Sequence, residues 1–466
     1  MAKQNRKGAT TQDGLKPIHS HAAGIDIGAE KHFVAVPPGA DPAGQDVREF
    51  GSFTADLHQL SHWLTACGVQ TVALESTGVF WIPLFELLEA NGFQVVLVDT
   101  RRVKNVPGRK SDVRDSQWLQ QLHACGLLAG AFRPEDQVCV LRNYLRQRAM
   151  LVQHAAQHVQ HMQKALTQMN VKLQHVVRDI TGDTGLRIIR AVLAGERNTM
   201  VLAKLRDPHC KNPEEVIAKA LEGNYRDEHL FALRQALALY DTYQEKIVEC
   251  DQRLEAYLAT FAAHPRHTTP TEPSKLRKAQ GNAPQFDLRQ AMQRMLGVDL
   301  TEIDGLDAYT VSKVIGEIGT DMAAWPTVKH FTSWLGLCPG NKISGGKILS
   351  SRTKPCANKA ASSLRLAAQT LYRSQSALGA FLRRKKAHLG PAKAITATAH
   401  KLARIIYSLL RNGGEYADEG VAAYEARFHE RLLRNLERRA QILGCRLVRN
   451  IVEPPTTAVV SPALAP

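Results

Sequence analysis

The chain has 466 residues, too many for one ordinary core, and its 44% hydrophobic and 22% charged residues describe a globular rather than a disordered or fibrous protein. With 60 Lys and Arg against 44 Asp and Glu the net charge is +16, which points to a polyanionic partner, either nucleic acid or an anionic membrane surface. No run of 18 apolar residues occurs, the polar start M-A-K-Q-N-R-K has no apolar stretch of a cleaved signal, and the 8 Cys stand singly, so a cytoplasmic chain with reduced thiols is expected.

Residues 1–20 are polar and unpatterned and read as a mobile tail. Over 21–136 the pattern is α/β. A-A-G-I-D-I-G is a buried strand, H-F-V-A-V its antiparallel neighbour, and R-E-F-G-S-F a third strand. An amphipathic helix over Ala55–Ala66, the strand V-Q-T-V-A-L-E, a helix W-I-P-L-F-E-L-L-E-A with an Asn-Gly stop, the strand F-Q-V-V-L-V-D and a helix from Ser111 to Cys125 complete a mixed sheet covered by helices. Strand signals vanish over 137–262, where long stretches such as Leu141–Leu173 and His229–Phe261 repeat apolar residues every three or four positions, predicting an elongated, coiled-coil-like and oligomerising arm. The Pro-rich stretch 263–290 reads as a linker, 291–414 as a mainly helical basic domain, and 415–466 as an accessory charged helix with a Pro/Ala tail.

The positive charge is concentrated. From Met322 to Gly414 there is no Asp or Glu, whereas the same 93 residues carry 16 Lys and Arg. Ordinary solvated surfaces mix signs. Purging one sign suits a face laid against phosphates, where each acid repels and each base releases a counterion. Lys342, Lys347, Arg352, Lys354, Lys359 and the run Arg383, Arg384, Lys385, Lys386 are the candidate nucleic-acid contacts.

Four acids sit where an apolar pattern does not call for them. Asp26 interrupts a strand between Ile25 and Ile27, Glu75 ends T-V-A-L before S-T-G, and Asp112 and Asp115 share one helix face. An ionised carboxylate at a strand end is costly without a cation or donor. Carboxylates from neighbouring strands and one helix could hold two Mg²⁺ ions about 3.5–4 Å apart, the geometry that clamps a phosphodiester. Taken one at a time, Asp26 also suits a turn, Glu75 a cap of the next helix, and Asp112 a helix N-terminus.

These segments, G-I-D-I-G-A-E-K-H, A-L-E-S-T-G-V-F-W and K-S-D-V-R-D-S-Q-W-L, resemble the D-E-D-D motifs of the IS-one-ten family of insertion-sequence transposases. The resemblance covers residues 20 to 130 and implies an RNase H-like fold of the RuvC type, with Asp26, Glu75, Asp112 and Asp115 as the Mg²⁺-binding set.

A second segment, L-G-L-C-P-G-N-K-I-S-G-G-K-I-L-S-S-R-T-K, places Ser344 between cations and before two glycines that allow close backbone approach. No His or acid lies within ten residues to activate the hydroxyl, so spacing alone also fits a phosphate-binding Ser-Gly-Gly turn. The segment resembles the second domain of the same family, over 295 to 411, whose serine is the recombinase nucleophile; by position that residue is Ser344. Ser350, Ser351 and Thr353 are lesser candidates. I-D-G-L-D-A-Y-T-V-S-K resembles a helix-hairpin-helix, with Asp304 and Asp307 atypical for a phosphate-facing turn. His154, His158 and His161 share a helix face that could hold zinc but lacks a fourth ligand, so a polar arm face is preferred. No phosphate-binding P-loop or G-x-G-x-x-G occurs.

The expected activity is therefore a DNA transposase that cuts and rejoins DNA through Mg²⁺ and a serine. The resemblance further implies a homodimer or tetramer, donor and target DNA, a guiding bridge RNA, and work on the bacterial nucleoid. The rivals are a junction-resolving endonuclease that uses water and a non-catalytic nucleic-acid-binding protein.

Overall fold

A computed structural model of the chain describes residues 17–99, 111–266, 282–355 and 358–448. The chain divides into two compact units, Met1–Arg133 and Pro134–Pro466. Among the described residues no helix is long and apolar enough to cross a membrane.

The first unit is the predicted mixed sheet. Strands β1 (Ala22–Ile27), β2 (Lys31–Ala35) and β3 (Val47–Gly51) are antiparallel, while β4 (Thr71–Glu75) and β5 (Gln94–Val98) add parallel to β1, in the order β3-β2-β1-β4-β5. Side chains alternate across each strand. Ala23, Ile25 and Ile27 of β1 with Val72 and Leu74 of β4 therefore face one way, into a core closed by α1 (Thr54–Ala66) and α2 (Trp81–Ala90) through Leu60, Leu64, Leu84 and Leu88. The opposite face, with Ala73 and Val98, is covered by α3 (Asp112–Ala124) through Leu119. This mixed α/β sheet between helices is consistent with the RNase H-like expectation.

Among its described residues, the second unit is helical apart from one hairpin. α4 (Asp136–Gln168) and α9 (Asp227–Ala259) are the two long helices expected of the arm, and they pair antiparallel with each other. Tyr257 donates to the Gln137 carbonyl at one end, and Tyr243 stacks between His154 and His158 further along. Between them, α5 (Leu173–Val176), α6 (Asp183–Leu193), α7 (Thr199–Ala203) and α8 (Glu214–Ala220) fold over the far end of the pair, burying Met162, Leu166, Ile188, Ile189, Leu202 and Leu233 in one cluster. Most of the expected linker lies outside the described residues. Then come α10 (Leu288–Leu296), α11 (Ala308–Ile318), α12 (Val328–Trp334), the hairpin β6 (Lys342–Ser344) and β7 (Lys347–Ser350), α13 (Lys359–Thr370), α14 (Ala377–Leu389), α15 (Pro391–Asn412) and α16 (Gly420–Ile442). The Tyr407 hydroxyl on α15 donates to the Trp325 carbonyl at 2.7 Å, and both rings pack on buried Phe331.

Candidate active site

The register of two strands brings the first pair of acids together. β1 and β4 run parallel with Gly24 opposite Ala73 and Ile25 opposite Leu74, so Asp26 and Glu75 come next, side by side at the carboxyl ends of their strands. By alternation both lie on the face of Gly24 and Ala73, the face that α3 covers. The helix crosses that face antiparallel to β1. Gln120 donates to the Ala22 carbonyl (3.1 Å) and His123 meets the Thr71 hydroxyl (2.8 Å), both at the amino ends of their strands. The opposite end of α3, where Ser111 caps the helix and Asp112 and Asp115 occupy the first turn, therefore reaches Asp26 and Glu75.

Gly24 permits this approach. A Cβ placed there would stand 2.2 Å from the Gln120 nitrogen and 2.6 Å from the Ser116 carbonyl oxygen. The helix backbone thus rests directly on the strand, two residues before the acid.

Asp26 feels the charge of the other three acids. Asp26 is pushed up to about 7, first by burial, then by repulsion from Glu75, Asp112 and Asp115, together with a hydrogen bond to Glu75. Asp26 is half-buried and Glu75 buried. Elsewhere in the unit, buried Asp41 is paired with Arg48 (2.8 Å) and the Trp63 indole (3.2 Å), whereas burial and like charges both act against Asp26. Among the described residues, no three possible ligands are gathered closely enough to hold a metal ion as they stand. The donor chemistry nonetheless fits one. All four groups offer hard carboxylate oxygens, and a divalent cation is the counter-charge that would relieve the repulsion on Asp26. Just beyond Glu75 the chain turns at Gly78 (φ +56°), Trp81 is tied back to the Gly78 carbonyl, and Val79 and Phe80 are left exposed.

Ser344 belongs to the second unit. It ends β6 at the tip of a two-residue hairpin in which Gly345 (φ +54°) and Gly346 (φ +74°) both take left-handed backbone, the requirement of a type I′ turn. The two glycines mark the turn in the sequence, and the structure flanks it with two short antiparallel strands. Ser344 pairs with Lys347, Ile343 with Ile348, and the serine, Lys342, Lys347, Arg352, Lys354 and Lys359 are all exposed.

The Arg383–Lys386 run, expected to contact nucleic acid, is also engaged within the fold. Arg383 donates to the Tyr372 and Ser374 carbonyls, and the Arg384 guanidinium lies 3.8 Å from the Phe428 ring centre and 4.8 Å from that of Tyr424. Lys386 lies over Tyr372 and Lys385 towards Phe381. Arg384 thus ties α14 to α16, and Arg383 ties α14 to the turn that precedes it. Asp307 caps α11 by accepting from the Thr310 nitrogen, and the histidine face of the arm is engaged in stacking on Tyr243.

An α/β unit in which Asp26 is opposed by Glu75, Asp112 and Asp115, followed by a basic helical region, is the layout of a DEDD transposase. A DEDD family model described as a transposase matches residues 23–171, and a model described as transposase IS116/IS110/IS902 family matches residues 298–383, together about half of the chain. The chain belongs to the IS110 family of transposases. No curated protein matches it.

Proposed function

We propose that this transposase cuts and rejoins DNA at the ends of an insertion sequence with two cooperating parts, the carboxylates of the first unit and the hydroxyl of Ser344. The convergence of Asp26, Glu75, Asp112 and Asp115, felt as the raised Asp26 pKa, is the observation that carries this reading. The four carboxylates would hold Mg²⁺, in keeping with two ions per site; a bound divalent ion supplies charge neutralisation at the phosphate and at the attacking and leaving oxygens. Ser344 would then form an Oγ–P bond as the bond from phosphorus to the sugar oxygen breaks. Overall the serine proton passes to that sugar oxygen, and a phosphoserine link conserves the energy for rejoining without ATP. Lys342 and Lys347 flank the hydroxyl as phosphate contacts, with Arg352, Lys354 and Lys359 extending the track. Open space surrounds Gly345 and Gly346 beside the serine.

The fuller proposal is a homodimer or tetramer on the bacterial nucleoid that binds donor and target DNA and takes its guidance from a bridge RNA. The antiparallel arm, with coiled-coil-like periodicity, serves oligomerisation, and the arm and the acid-free basic stretch Met322–Gly414 together suit the RNA backbone. Its support is the helical pattern and the basic charge. A supercoiled plasmid carrying the element ends, incubated with protein, co-purified RNA and Mg²⁺, tests the chemistry. Wild type leaves a nucleotide on Ser344 detectable by mass spectrometry. Asp26→Asn and Ser344→Ala each lose at least about 100-fold in strand cleavage, in line with removal of a nucleophile or metal ligand. Retained cleavage by Ser344→Ala would establish the water-using nuclease instead; retained cleavage by Asp26→Asn would remove the carboxylates from the mechanism.

A further inference from the structure

Neither family match reaches α16, and none of the proposed chemistry uses it. The first turns of this helix are firmly seated. Val421 and Tyr424 pack on Ala377, Ala380 and Phe381 of α14, Arg384 is sandwiched against Tyr424 and Phe428, and Asp418, just before the helix, accepts from the Ala377 nitrogen. Beyond Phe428 the situation reverses. From Arg431 to Val448 no residue is buried, so a helix held rigidly at its base projects about three turns into solvent. An uncovered helical end has little intrinsic stability, and nothing in its own packing accounts for the arrangement.

The exposed surface has a defined pattern. Arg427, Arg431, Arg434 and Arg438 follow at steps of four, three and four, so they form one ridge, about 16 Å long with a guanidinium every 5–6 Å. All six basic residues between Gly420 and Val448 are arginine, whereas the acid-free stretch Met322–Gly414 has nine lysines among its 16. An arginine fork matches phosphate oxygens two at a time; an ammonium group offers only a point charge. Arg427 pairs with Glu419 and Arg434 with Glu430, but all four side chains are at least partly in water, where such pairs are worth little and exchange readily. Exposed Leu432 and Leu436 lie on the side away from the ridge, and Glu430 and Glu437 stand between the two. Acids in that position would meet the headgroups of an anionic membrane, which disfavours a helix lying in a bilayer surface.

We propose that α16 is a second DNA-binding element whose arginine ridge lies along the phosphate backbone of duplex DNA, extending the footprint beyond the two family-matched regions. It binds without reading bases, and its contribution is independent of the carboxylates and of Ser344. The Arg384 sandwich sets its direction.

The test uses the full-length protein with a fluorescein-labelled 20-base-pair DNA duplex, followed by anisotropy between about 50 and 300 mM NaCl in EDTA. Arg431→Gln/Arg438→Gln should weaken binding about tenfold at low salt and lower the slope of log affinity against log salt by about 2, one per lost phosphate contact. Arg431→Lys/Arg438→Lys should keep the slope and lose only part of the affinity. Thermal unfolding of the variants checks that the exposed substitutions leave the fold intact. An unchanged slope in the glutamine variant would overturn the proposal, showing the ridge to be an ordinary solvated face. So would a loss confined to an RNA duplex of the same sequence, or to phosphatidylserine vesicles. Because no metal is present, failure here leaves the proposed chemistry standing, and failure of Ser344→Ala to lose cleavage leaves this proposal standing.

Discussion

Asp26 holds its proton up to about pH 7 because burial and three neighbouring carboxylates oppose its ionisation. The unfolded chain releases the same proton near 3.8. Between these values the folded state binds a proton that the unfolded state has lost, so without metal the stability contributed at this position is full below about pH 4 and falls as pH rises to 7. Allowing for solvent at a half-buried group, the loss is about 2 kcal/mol by pH 8. Urea unfolding in EDTA at pH 5, 6, 7 and 8 should show this decline, and Asp26→Asn should flatten it. The asparagine variant is then the more stable protein at pH 8 and the less active one, since it trades repulsion for a lost ligand. Mg²⁺ should stabilise wild type at pH 8 and have much less effect at pH 5.5. A variant pH profile that matches wild type would show that Asp26 does not carry the strain. The residue types of this cluster are legible in the sequence, as acids in an apolar pattern. Their adjacency is not, because it depends on the strand register that places Asp26 beside Glu75.

At the scale of elements, the site depends on how closely α3 lies on β1. Gly24→Ala would drive a methyl group into the Gln120 and Ser116 backbone, which cannot yield as a flexible side chain could. The helix must lift, carrying Asp112 and Asp115 away from Asp26. Overpacking of this kind costs about 1–3 kcal/mol. Differential scanning calorimetry should show a lower Tm, and strand cleavage should fall by more than the folded fraction does, because the carboxylates are separated even in folded molecules. Cleavage that simply tracks the folded fraction would show that helix position is unimportant. Periodicity predicts α3 to within one residue, and Asp112 and Asp115 on one face follow from helical spacing. The hairpin at Ser344 is marked in the sequence by its two glycines, whereas the bounds of its strands are not, because they are too short and too exposed to leave an alternating core pattern.

Across the second unit, one buried network ties the arm to the serine-bearing region. Arg148 on α4 is 0% exposed and Asp251 on α9 is 2% exposed. The guanidinium makes two hydrogen bonds to that carboxylate, donates to the Asn282 carbonyl at 3.0 Å and stacks 4.8 Å from the Tyr309 ring centre of α11. Asp251 also accepts from the Gln285 nitrogen. Arg148→Met leaves the carboxylate buried and uncompensated, at a cost of about 3–5 kcal/mol, whereas Arg148→Met with Asp251→Leu should recover most of that loss. Urea unfolding of the three proteins checks this; equal loss in the single and double variants would mean that the pair itself, rather than the stranded charge, supplies the stability. A lone Arg and a lone Asp 103 residues apart gave no signal in the sequence, since each is ordinary in an amphipathic helix until packing buries both.

Local chemistry is thus what the sequence determined alone: which segments of the first unit are strands and helices, where the positive charge gathers, and which acids and which serine stand out against their surroundings. Those follow from interactions over a few residues, through periodicity, turn residues and composition. Tertiary structure alone decided that Asp26 and Glu75 lie side by side under α3, that Arg384 ties α14 to α16, and that α16 ends in an uncovered arginine ridge. Each of these depends on strand register or helix packing between residues far apart in the chain, where burial and charge coupling arise only after the chain has folded.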